Sequence, residues 1–412
     1  MTLVCALAAQ GEGFRNPPPG TFSLGRAGGR IAHIDDSSAV THNPANLVDL
    51  TGAEVQFTPT VANLKWEFSS GAAPGQTSST EEPWKILPAI FGAVPLKNRE
   101  VVFGLGITTP YGIGSEWDVD TPAFAPLTGA LRYQSPHSTD LKTFNFNPSV
   151  ALRLGEHAQI GAGFDCLWSE LTLKQYYPWF LVTGSFADPD GNAEAKGDGV
   201  GFGGNVGLTI TVAERHRFAV TYRSPITVNY EGDFDLDNVP AALGGQRLRT
   251  GFESEIQFPT IVAVGYGLQV CDTVRLEVDA EWIQFSTFDE LPLRVEAPPP
   301  GLPTSAPEDW EDTFTIGIGG DWRMAPSWRL RASYQYYQSP VPDSTLSPAV
   351  VDANQNVITV GLAYHSRRHS FEVAYSPVLY DKRHIRNSYN PAFNGDYEVT
   401  LHLISVAYRF SF

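Results

Sequence analysis

The segment VRLEVDAEW, residues 274–282, decides the fold of this chain. Its charged and apolar side chains alternate strictly, so one face of an extended strand is wholly charged and the other wholly apolar. The charged face consists of Arg275, Glu277, Asp279 and Glu281. A soluble sandwich can contain one such edge strand, but SWRLRASYQYY (327–337) and VITVGLAY (357–364) repeat the alternation in the same sense. The recurrence predicts strands with one face in lipid and the other in a lumen.

Every second connection between these period-2 segments is very short. The short links are KNRE (97–100), GEHA (155–158), AERH (213–216), VCDT (270–273), APS (325–327) and SRRH (366–369). Much longer links lie between them, and tight turns on one rim with long loops on the other are typical of an outer-membrane barrel. We count fourteen segments, beginning near residues 53, 85, 100, 139, 158, 199, 215, 253, 273, 313, 327, 356, 369 and 397.

The fold class follows from the behaviour of backbone in lipid. Every backbone polar group there must be bonded within the protein, so only a closed barrel of strands can span. We predict an all-β protein, a transmembrane 14-stranded antiparallel β-barrel over residues 51–412. An even strand number with both ends on the short-turn rim places both termini in the periplasm.

Composition agrees with one large membrane domain. Of 412 residues, 42% are apolar, 12% aromatic and 18% charged. Aromatic side chains in this abundance suit interfacial girdles, and no run reaches about 18 apolar residues, which excludes transmembrane helices. The net charge of −17 argues against a nucleic-acid partner. The final residues VAYRFSF (406–412) look like the terminal signal that the bacterial barrel-assembly machinery reads.

Residues 1–10, MTLVCALAAQ, are interpreted as the remnant of a signal peptide, because an apolar stretch precedes a small-residue Ala-Leu-Ala site. Lipidation of Cys5 is the alternative, although the residues before it make a poor lipobox. Either interpretation implies export. Cys166 and Cys271 are too few for a disulfide framework, and whether they pair with each other stays open.

Residues 11–50 precede the first strand and lack long periodic segments. The stretch is rich in Gly, Pro and short polar side chains, which in a free soluble segment indicates a disordered tail. It also carries apolar side chains throughout, among them Phe14, Phe22 and Leu24. We therefore expect this stretch to fold inside the barrel lumen as a hatch.

Three motifs follow one another near the N-terminus and others continue along the chain. The first are Leu24-Gly25-Arg26-Ala27-Gly28, Asp35-Asp36-Ser37-Ser38-Ala39-Val40 and Asn43-Pro44-Ala45. The others are FGLGITTPYGIGSEW (103–117), DLKTFNFNPSVALRLGEHAQIGAGFD (140–165), GFGGNVGLTITVAERHRFAVTYRSPI (201–226), EWIQFSTFDEL (281–291), WEDTFTIGIGGDW (310–322) and SPVP (339–342). In this order they resemble the outer-membrane long-chain fatty acid and hydrocarbon transporters, the FadL-type family.

The resemblance implies a fourteen-stranded barrel, plugged by its own N-terminus, that passes hydrophobic molecules from the exterior into the outer membrane. Asn43, Pro44 and Ala45 should form a turn that holds the plug against the wall, because Pro fixes φ and Asn bonds to nearby backbone. An apolar molecule gains about 0.8 kcal/mol per CH₂ on leaving water, so a sideways exit into lipid is favoured over a watery channel.

A sideways exit requires local loss of a strand ladder, which Gly and Pro cause by bulging and by removing a donor. The third predicted strand contains many of them. The candidates for a lateral opening are Gly104, Gly106, Pro110, Gly112 and Gly114. The alternative is a wall strand with ordinary curvature glycines.

Capture of a hydrophobic molecule requires exposed apolar surface. The link after the fifth predicted strand supplies the candidates Tyr176, Tyr177, Trp179, Phe180 and Leu181. These side chains dock the substrate, or they fold over the barrel mouth as the core of a lid, and the two interpretations are compatible.

Lys174 and Arg223 have no obvious acidic neighbour across a strand, so they could contact the carboxylate of a fatty acid. The lumenal charges on three consecutive strands are instead expected to neutralise one another, namely Asp279, Glu281, Asp321, Arg329 and Arg331. Because the loop sequences diverge from the family, the resemblance does not decide between a fatty acid and a neutral hydrocarbon.

No catalytic residue, metal site or cofactor is predicted. The stretch 188–192 lacks the bidentate acid of a calcium loop, and His365 and His369 lie in a turn rather than on a helix. No spacing suggests the Ser/His pair of a barrel lipase, and a general porin or an adhesive barrel is the alternative function. We expect a monomeric outer-membrane transporter whose partners are a hydrophobic small molecule and outer-membrane lipid.

Overall fold

The computed structural model describes residues 12–96 and 100–412. Fourteen antiparallel strands close into one barrel, as the alternation of side chains predicted. The ring closes because the last strand, β24, pairs with both pieces of the first barrel strand, β1 and β2. The expected signal-peptide remnant, residues 1–10, lies outside the described residues.

The strands are β1 (Glu54–Phe57), β2 (Thr60–Ser70), β3 (Thr77–Ser79), β4 (Trp84–Leu87), β5 (Ile90–Pro95), β6 (Val101–Thr108), β7 (Gly112–Glu116), β8 (Ser138–Leu154), β9 (Ala158–Tyr177), β10 (Gly191–Val212), β11 (His216–Arg223), β12 (Ile226–Leu236), β13 (Leu248–Phe258), β14 (Ile261–Cys271), β15 (Val274–Ile283), β16 (Glu290–Pro292), β17 (Arg294–Val295), β18 (Ser305–Pro307), β19 (Thr313–Ala325), β20 (Trp328–Tyr337), β21 (Gln355–Ser366), β22 (His369–Tyr380), β23 (Arg383–Ile385) and β24 (Gly395–Ser411). The short pieces β3, β16, β17, β18 and β23 belong to the long connections.

Several barrel strands consist of two pieces. The first is β1 with β2, the second β4 with β5, the third β6 with β7, the seventh β11 with β12 and the eighth β13 with β14. Each interruption contains a proline, namely Pro59, Pro88, Pro110, Pro225 and Pro259. Proline has no N–H to donate to a ladder, so each of these positions ends one piece.

Helices are short in this chain. The α-helices are α1 (Thr21–Gly25), α2 (Ala39–His42) and α3 (Phe180–Thr183), and the 3₁₀ turns are Pro44–Asp49, Pro122–Phe124, Ala241–Leu243, Phe285–Thr287 and Pro391–Phe393. Among the described residues, no helix has the length and apolar character needed to cross a membrane.

The alternation in β15 places its two faces as the sequence predicted. Glu277 and Asp279 are each 1% exposed and face the lumen, whereas Leu276 and Val278 are 44% and 42% exposed on the outer face. The same outer face carries large apolar side chains around the barrel, including Phe103, Phe146, Phe202, Phe218, Phe314, Ile316, Ile358 and Phe371. A continuous apolar outer face is what a barrel in lipid requires.

The short turns that the structure describes in full lie on one rim, where Glu54 at the start of the barrel pairs with Ser411 at its end. Two strands begin earlier than the sequence predicted, β10 at Gly191 rather than near 199 and β13 at Leu248 rather than near 253. The early part of β10 presents Glu194, Lys196 and Asp198 in place of apolar side chains. Strands that extend beyond the apolar belt lose the alternation by which they are recognised.

Cys166 and Cys271 are both free. The open question of a disulfide between them is therefore answered in the negative.

Candidate functional site

Residues 12–50, here named the N-terminal segment, lie inside the barrel against the inward faces of the strands. Phe14, Phe22 and Leu24 are each at most 1% exposed. Asn43, Pro44 and Ala45 are buried as well. The expectation that these residues pack in the lumen agrees with their positions. Burial of Phe22 is aided by two guanidinium groups, since Arg331 and Arg26 lie 4.6 and 5.3 Å from its ring centroid.

The Asn43-Pro44-Ala45 motif forms the predicted turn. Asn43 caps the 3₁₀ turn Pro44–Asp49, because its Oδ1 accepts a hydrogen bond from the Ala45 N–H at 3.2 Å. Its Nδ2 donates to the Ile31 carbonyl and to Thr209 Oγ1 on β10, both at 2.9 Å. One amide side chain thus joins two parts of the N-terminal segment to the barrel wall.

Replacing Asn43 with Ala should impair transport more than barrel assembly. The change leaves the Ala45 N–H without its partner, at a cost of about 1–3 kcal/mol for a buried group left unsatisfied, and leaves the Ile31 carbonyl with only the Asn46 side chain as donor. The β-ladders that hold the barrel do not involve Asn43. Substrate uptake and heat-modifiable gel migration would be measured on the same membranes. If both are lost together, the role of Asn43 is in folding.

Two glycines of the third barrel strand serve packing rather than opening. A Cβ on Gly104 would lie 2.9 Å from Leu47 Cδ1, and one on Gly106 would lie 3.1 Å from Val40 Cγ1. Both glycines belong to β6, which is paired with β5 on one side and β8 on the other. The prediction that Gly104 and Gly106 belong to a lateral opening is therefore wrong, because the N-terminal segment needs the space above them.

Arginines of the N-terminal segment neutralise the acidic face of β15. Arg26, with no side-chain exposure, pairs with Glu277 at 2.9 Å and with Asp321 at 2.7 Å. Arg30 pairs with Glu281 at 2.6 Å. The expectation that the wall charges neutralise one another is correct only in part, since the main partners of β15 come from the N-terminal segment. The two arginines fix this segment to one side of the barrel.

A cluster of rings, here named the aromatic cage, surrounds Phe14. Its members are Tyr111, Phe258, Phe285, Phe288 and Trp310, with ring centroids 4.9 to 6.0 Å from that of Phe14. Tyr111 also stacks on Phe258 at 4.4 Å. Rings in such offset and edge-to-face contacts form an apolar site of defined shape. In this structure Phe14 occupies its centre.

The ladder between the second and third barrel strands is interrupted. It runs from Pro95↔Val102 to Ile90↔Ile107 and reappears only as the bridge Thr80↔Trp117. Between these ladders β4 pairs with β2 and β7 pairs with β8, but β4 and β7 do not pair with each other. We name this interruption, formed by residues 82–89 and 108–115, the seam. Pro110, Gly112 and Gly114 lie in it, as the sequence predicted for a break in this strand.

The N-terminal segment supplies the pairing that the third strand lacks. Arg15 and Tyr111 form an antiparallel bridge. The Gly112 N–H donates to the Phe14 carbonyl at 2.8 Å, and the Asn16 N–H donates to the Pro110 carbonyl at 2.9 Å. The same residues therefore fill the aromatic cage and satisfy backbone groups at the seam.

Burial shifts the ionisation of groups in the N-terminal segment. Burial raises the pKa of Glu12 to about 8, against the lowering effect of Arg15. Burial, assisted by the charge of Arg30, lowers the pKa of His42 to about 3. Burial would raise the pKa of Asp35, but Arg275 and Arg329 outweigh it and hold this pKa well below its usual range. At neutral pH, His42 is uncharged and Asp35 is ionised.

The loop after β9 differs from the expected exposed patch. Tyr177 and Trp179 are 5% and 4% exposed, because they pack with Phe234, Leu236 and Phe252. Leu181 and Phe186 are 73% and 71% exposed instead, and Phe180 stacks on Phe186 at 5.2 Å. The prediction that Tyr177 and Trp179 are available for capture is therefore wrong. The lid interpretation fits them, while Tyr176 stacks under Arg132 at 3.9 Å.

Lys174 and Arg223 are both paired, so the reason for expecting them to contact a substrate carboxylate is wrong. Arg223 pairs with Asp165 at 2.6 Å and also donates to the Thr41 carbonyl at 2.9 Å. Lys174 lies 3.7 Å from Glu194 on β10. The acid beside Lys174 lies on the adjacent strand and the acid beside Arg223 lies two strands away, and the sequence alone placed neither of them there.

A closed barrel with an apolar outer face, a lumen filled by its own N-terminal residues and an interruption between its second and third strands defines an outer-membrane β-barrel that serves transport rather than catalysis. The chain belongs to the outer membrane protein transport protein family (OMPP1/FadL/TodX), whose sequence profile matches residues 2–412. The resemblance seen in the motifs is thereby confirmed.

Curated relatives and solved structures agree with the family assignment. The long-chain fatty acid transport protein of Salmonella typhi is 25% identical over 392 residues, which cover 88% of this chain and 86% of that protein. A Pseudomonas aeruginosa FadL homologue matches with a TM-score of 0.82 at 20% identity, covering 97% of this chain and 100% of that one. The Pseudomonas putida toluene transporter TodX matches with a TM-score of 0.73 at 17% identity, covering 99% and 100%. These structures share the fold.

Proposed function

We propose that this protein takes up hydrophobic molecules, long-chain fatty acids or hydrocarbons, passively from the exterior and releases them sideways into the outer membrane through the seam. The single observation that supports this most is the interruption between β4 and β7, which lie on facing sides of the wall but do not pair with each other. An unpaired stretch of wall in lipid leaves backbone groups without partners, a cost that natural barrels avoid. Its presence here therefore calls for a function.

The chemistry of an apolar substrate favours this route. Transfer from lipid to water costs about 0.8 kcal/mol per CH₂, so release into the periplasm would be opposed at every carbon atom. We infer that the N-terminal segment acts as a hatch that blocks the watery route. Its ion pairs with β15 and its contacts with Gly104 and Gly106 fill the lumen that a porin would leave open.

The aromatic cage connects to the seam through one residue. Tyr111 forms part of the cage and lies in the interrupted part of the third strand. We infer that a substrate enters the cage when Phe14 leaves it, and that the same movement frees the backbone of Pro110 and Gly112 at the seam. Entry to the cage and opening of the wall would then be one event.

The remaining partners follow from this route. Outer-membrane lipid receives the substrate, and the barrel-assembly machinery inserts the chain, for which the terminal residues 406–412 are suited. We infer that both termini face the periplasm, on the rim that carries the short turns, and that the long connections face the exterior. The chain closes its own sheet, so a monomer suffices.

Replacing both Gly112 and Gly114 with Val should reduce uptake about tenfold or more, which corresponds to roughly 1.4 kcal/mol added to the barrier. Bulky β-branched side chains would fill the seam and favour a regular strand there. Uptake of a labelled long-chain substrate would be measured in whole cells with equal barrel content. Gly92→Val is the matched control, because Gly92 lies in a ladder paired on both sides. Unchanged uptake in the double variant would remove the seam from the route.

Replacing both Leu181 and Phe186 with Ser should reduce uptake at low substrate concentration and leave uptake at saturation largely intact. The two exposed side chains offer apolar contact worth about 1.5–3 kcal/mol each if a substrate buries them fully. Leu243→Ser, which removes an exposed apolar side chain from another long connection, is the control. An equal loss at all concentrations would indicate a role in gating or folding, not in capture.

A further inference from the structure

One lysine lies in the seam and faces the lumen. In β4 the exposed fraction alternates, from 62% for Trp84 and 6% for Lys85 to 42% for Ile86 and 5% for Leu87. Lys85 is thus on the inner face, while Trp84 and Ile86 are on the lipid face. The seam passes directly beside it, because β4 has no partner strand on that side.

The backbone of Lys85 pairs with Ala62 on β2, but its ammonium group makes no hydrogen bond and no ion pair with another residue that the structure describes. Among the described residues, the other arginines and lysines that are buried to this extent are Arg26, Arg30 and Arg331, and each has a carboxylate partner at 2.6 to 2.9 Å. A buried charge without a partner is costly, and proteins pair such charges or use them to bind a ligand. Lys85 is therefore the exception among these residues, and its ammonium group is available to a ligand.

Nearby carboxylates do not fill this role. Glu82, Glu116 and Asp140 are close enough to influence the ammonium group, but none of them makes an ion pair with it. Asp140 is already held by Lys142 at 2.6 Å. The ammonium group keeps its capacity to donate hydrogen bonds.

Other donors on the inner face of this part of the wall also lack partners. Ser115 lies in the seam and pairs through its backbone with Thr139 on β8. Both hydroxyl groups are buried without a hydrogen-bond partner among the described residues, and so is the indole N–H of Trp66 on β2. Buried polar groups are usually hydrogen-bonded, so several unpartnered donors around one interruption indicate a ligand with acceptor oxygens.

We propose that Lys85 binds the carboxylate of a substrate at the seam, and that the protein therefore prefers long-chain fatty acids to neutral hydrocarbons; this inference rests on the proposed sideways release. A carboxylate accepts charge-assisted hydrogen bonds from an ammonium group and can accept further ones from hydroxyl groups. The tail of the same molecule would pass between Trp84 and Ile86 into lipid. The head is held at the wall until the tail is buried, and it then leaves to the interface.

The test compares hexadecanoic acid with n-hexadecane, which share a chain length and differ in the carboxylate. Lys85→Met should reduce uptake of the acid about tenfold or more at subsaturating concentration, the factor expected for one charge-assisted hydrogen bond. Uptake of the alkane should change less than about twofold, a difference of roughly 0.4 kcal/mol. Lys85→Arg should retain most of the acid uptake, because it preserves the charge.

Lys65→Met is the matched control, since Lys65 lies on the neighbouring strand β2 but faces outward and is paired with Glu67 at 2.6 Å. Heat-modifiable gel migration establishes that each variant is folded. If Lys85→Met reduces uptake of the acid and of the alkane equally, or reduces uptake of neither, Lys85 does not bind the carboxylate. Sideways release would not be affected by that result. Failure of the unaltered protein to take up either compound would overturn the proposed function itself.

Discussion

A disulfide between positions 15 and 111 will abolish uptake, and a reductant will restore it. Arg15 and Tyr111 face each other in a non-hydrogen-bonded antiparallel pair, as the flanking bonds from Gly112 to Phe14 and from Asn16 to Pro110 show. Such pairs have Cα atoms about 4.5 Å apart, within the range that a disulfide accepts. The bond would hold Phe14 in the aromatic cage and close the seam, so no substrate could use either.

The experiment uses Arg15→Cys with Tyr111→Cys in a chain whose three native cysteines are changed to Ser. The reduced double variant controls for the lost arginine and tyrosine, because it differs from the oxidised form in the crosslink alone. Each single variant controls for oxidation elsewhere. Undiminished uptake with the crosslink complete on a non-reducing gel would mean that residues 14–16 stay in place during transport.

Arg26→Met will lower the stability of the packed lumen and make the barrel leak. The variant removes the guanidinium that joins Glu277 to Asp321, so among the described residues Glu277 keeps only the donors of Ala32 and His33 and Asp321 keeps only arginines of the wall. Removing one partner of a buried ion pair costs about 3–5 kcal/mol, because the remaining charge is uncompensated. We expect the N-terminal segment to detach from β15 in part of the population. Current through planar bilayers should then appear as openings that the unaltered protein lacks.

The matched control removes the charges on both sides. Arg26→Met combined with Glu277→Gln and Asp321→Asn leaves no buried charge unpaired, so the triple variant should leak less than the single one. Greater leakage in the triple variant would show that packing of the arginine stem, and not its charge, holds the segment. If no variant conducts current, the remaining contacts are enough to keep the N-terminal segment in the lumen.

The wall of this protein could be predicted from its sequence because each spanning strand carries its own signal. In β15 every second residue is charged and the others are apolar, which is enough to assign the strand and its two faces. The interruption of the third strand was also predictable, since Pro110 cannot donate to a ladder. The extent of the seam could not be predicted, because it depends on whether β4 and β7 pair with each other. The sequences of these two strands do not contain that information.

Partners across the lumen could not be predicted from the sequence. Arg223 seemed unpaired because Asp165 lies two barrel strands away along the chain. Arg26 was not assigned to Glu277 because 251 positions separate the two residues in the sequence. Trp179 was expected at the surface because loop sequences do not show which aromatic side chains fold inward. A charged or aromatic side chain in a barrel is defined by the strands and the segment that face it, so its role emerges only when the ring is closed.

The inward position of Lys85 can be inferred from the sequence alone. In WKIL, residues 84–87, the alternation places the lysine on the face opposite Trp84 and Ile86, and a lysine on the inner face of a strand beside a break is unusual. The missing information was that no acid pairs with it.

The most direct test of sideways release is to map where a substrate passes through the wall. A long-chain fatty acid with a photoreactive diazirine near its tail would be added to cells that contain the protein, irradiated during uptake, and the crosslinked residues identified by mass spectrometry. If release is sideways, labels should appear in the aromatic cage and on both sides of the seam, within residues 82–89 and 108–115. Trp84 and Ile86 should be labelled on the lipid face. Labels confined to the short-turn end of the lumen, around Asp49 and Arg153, would show a route past the N-terminal segment and contradict sideways release.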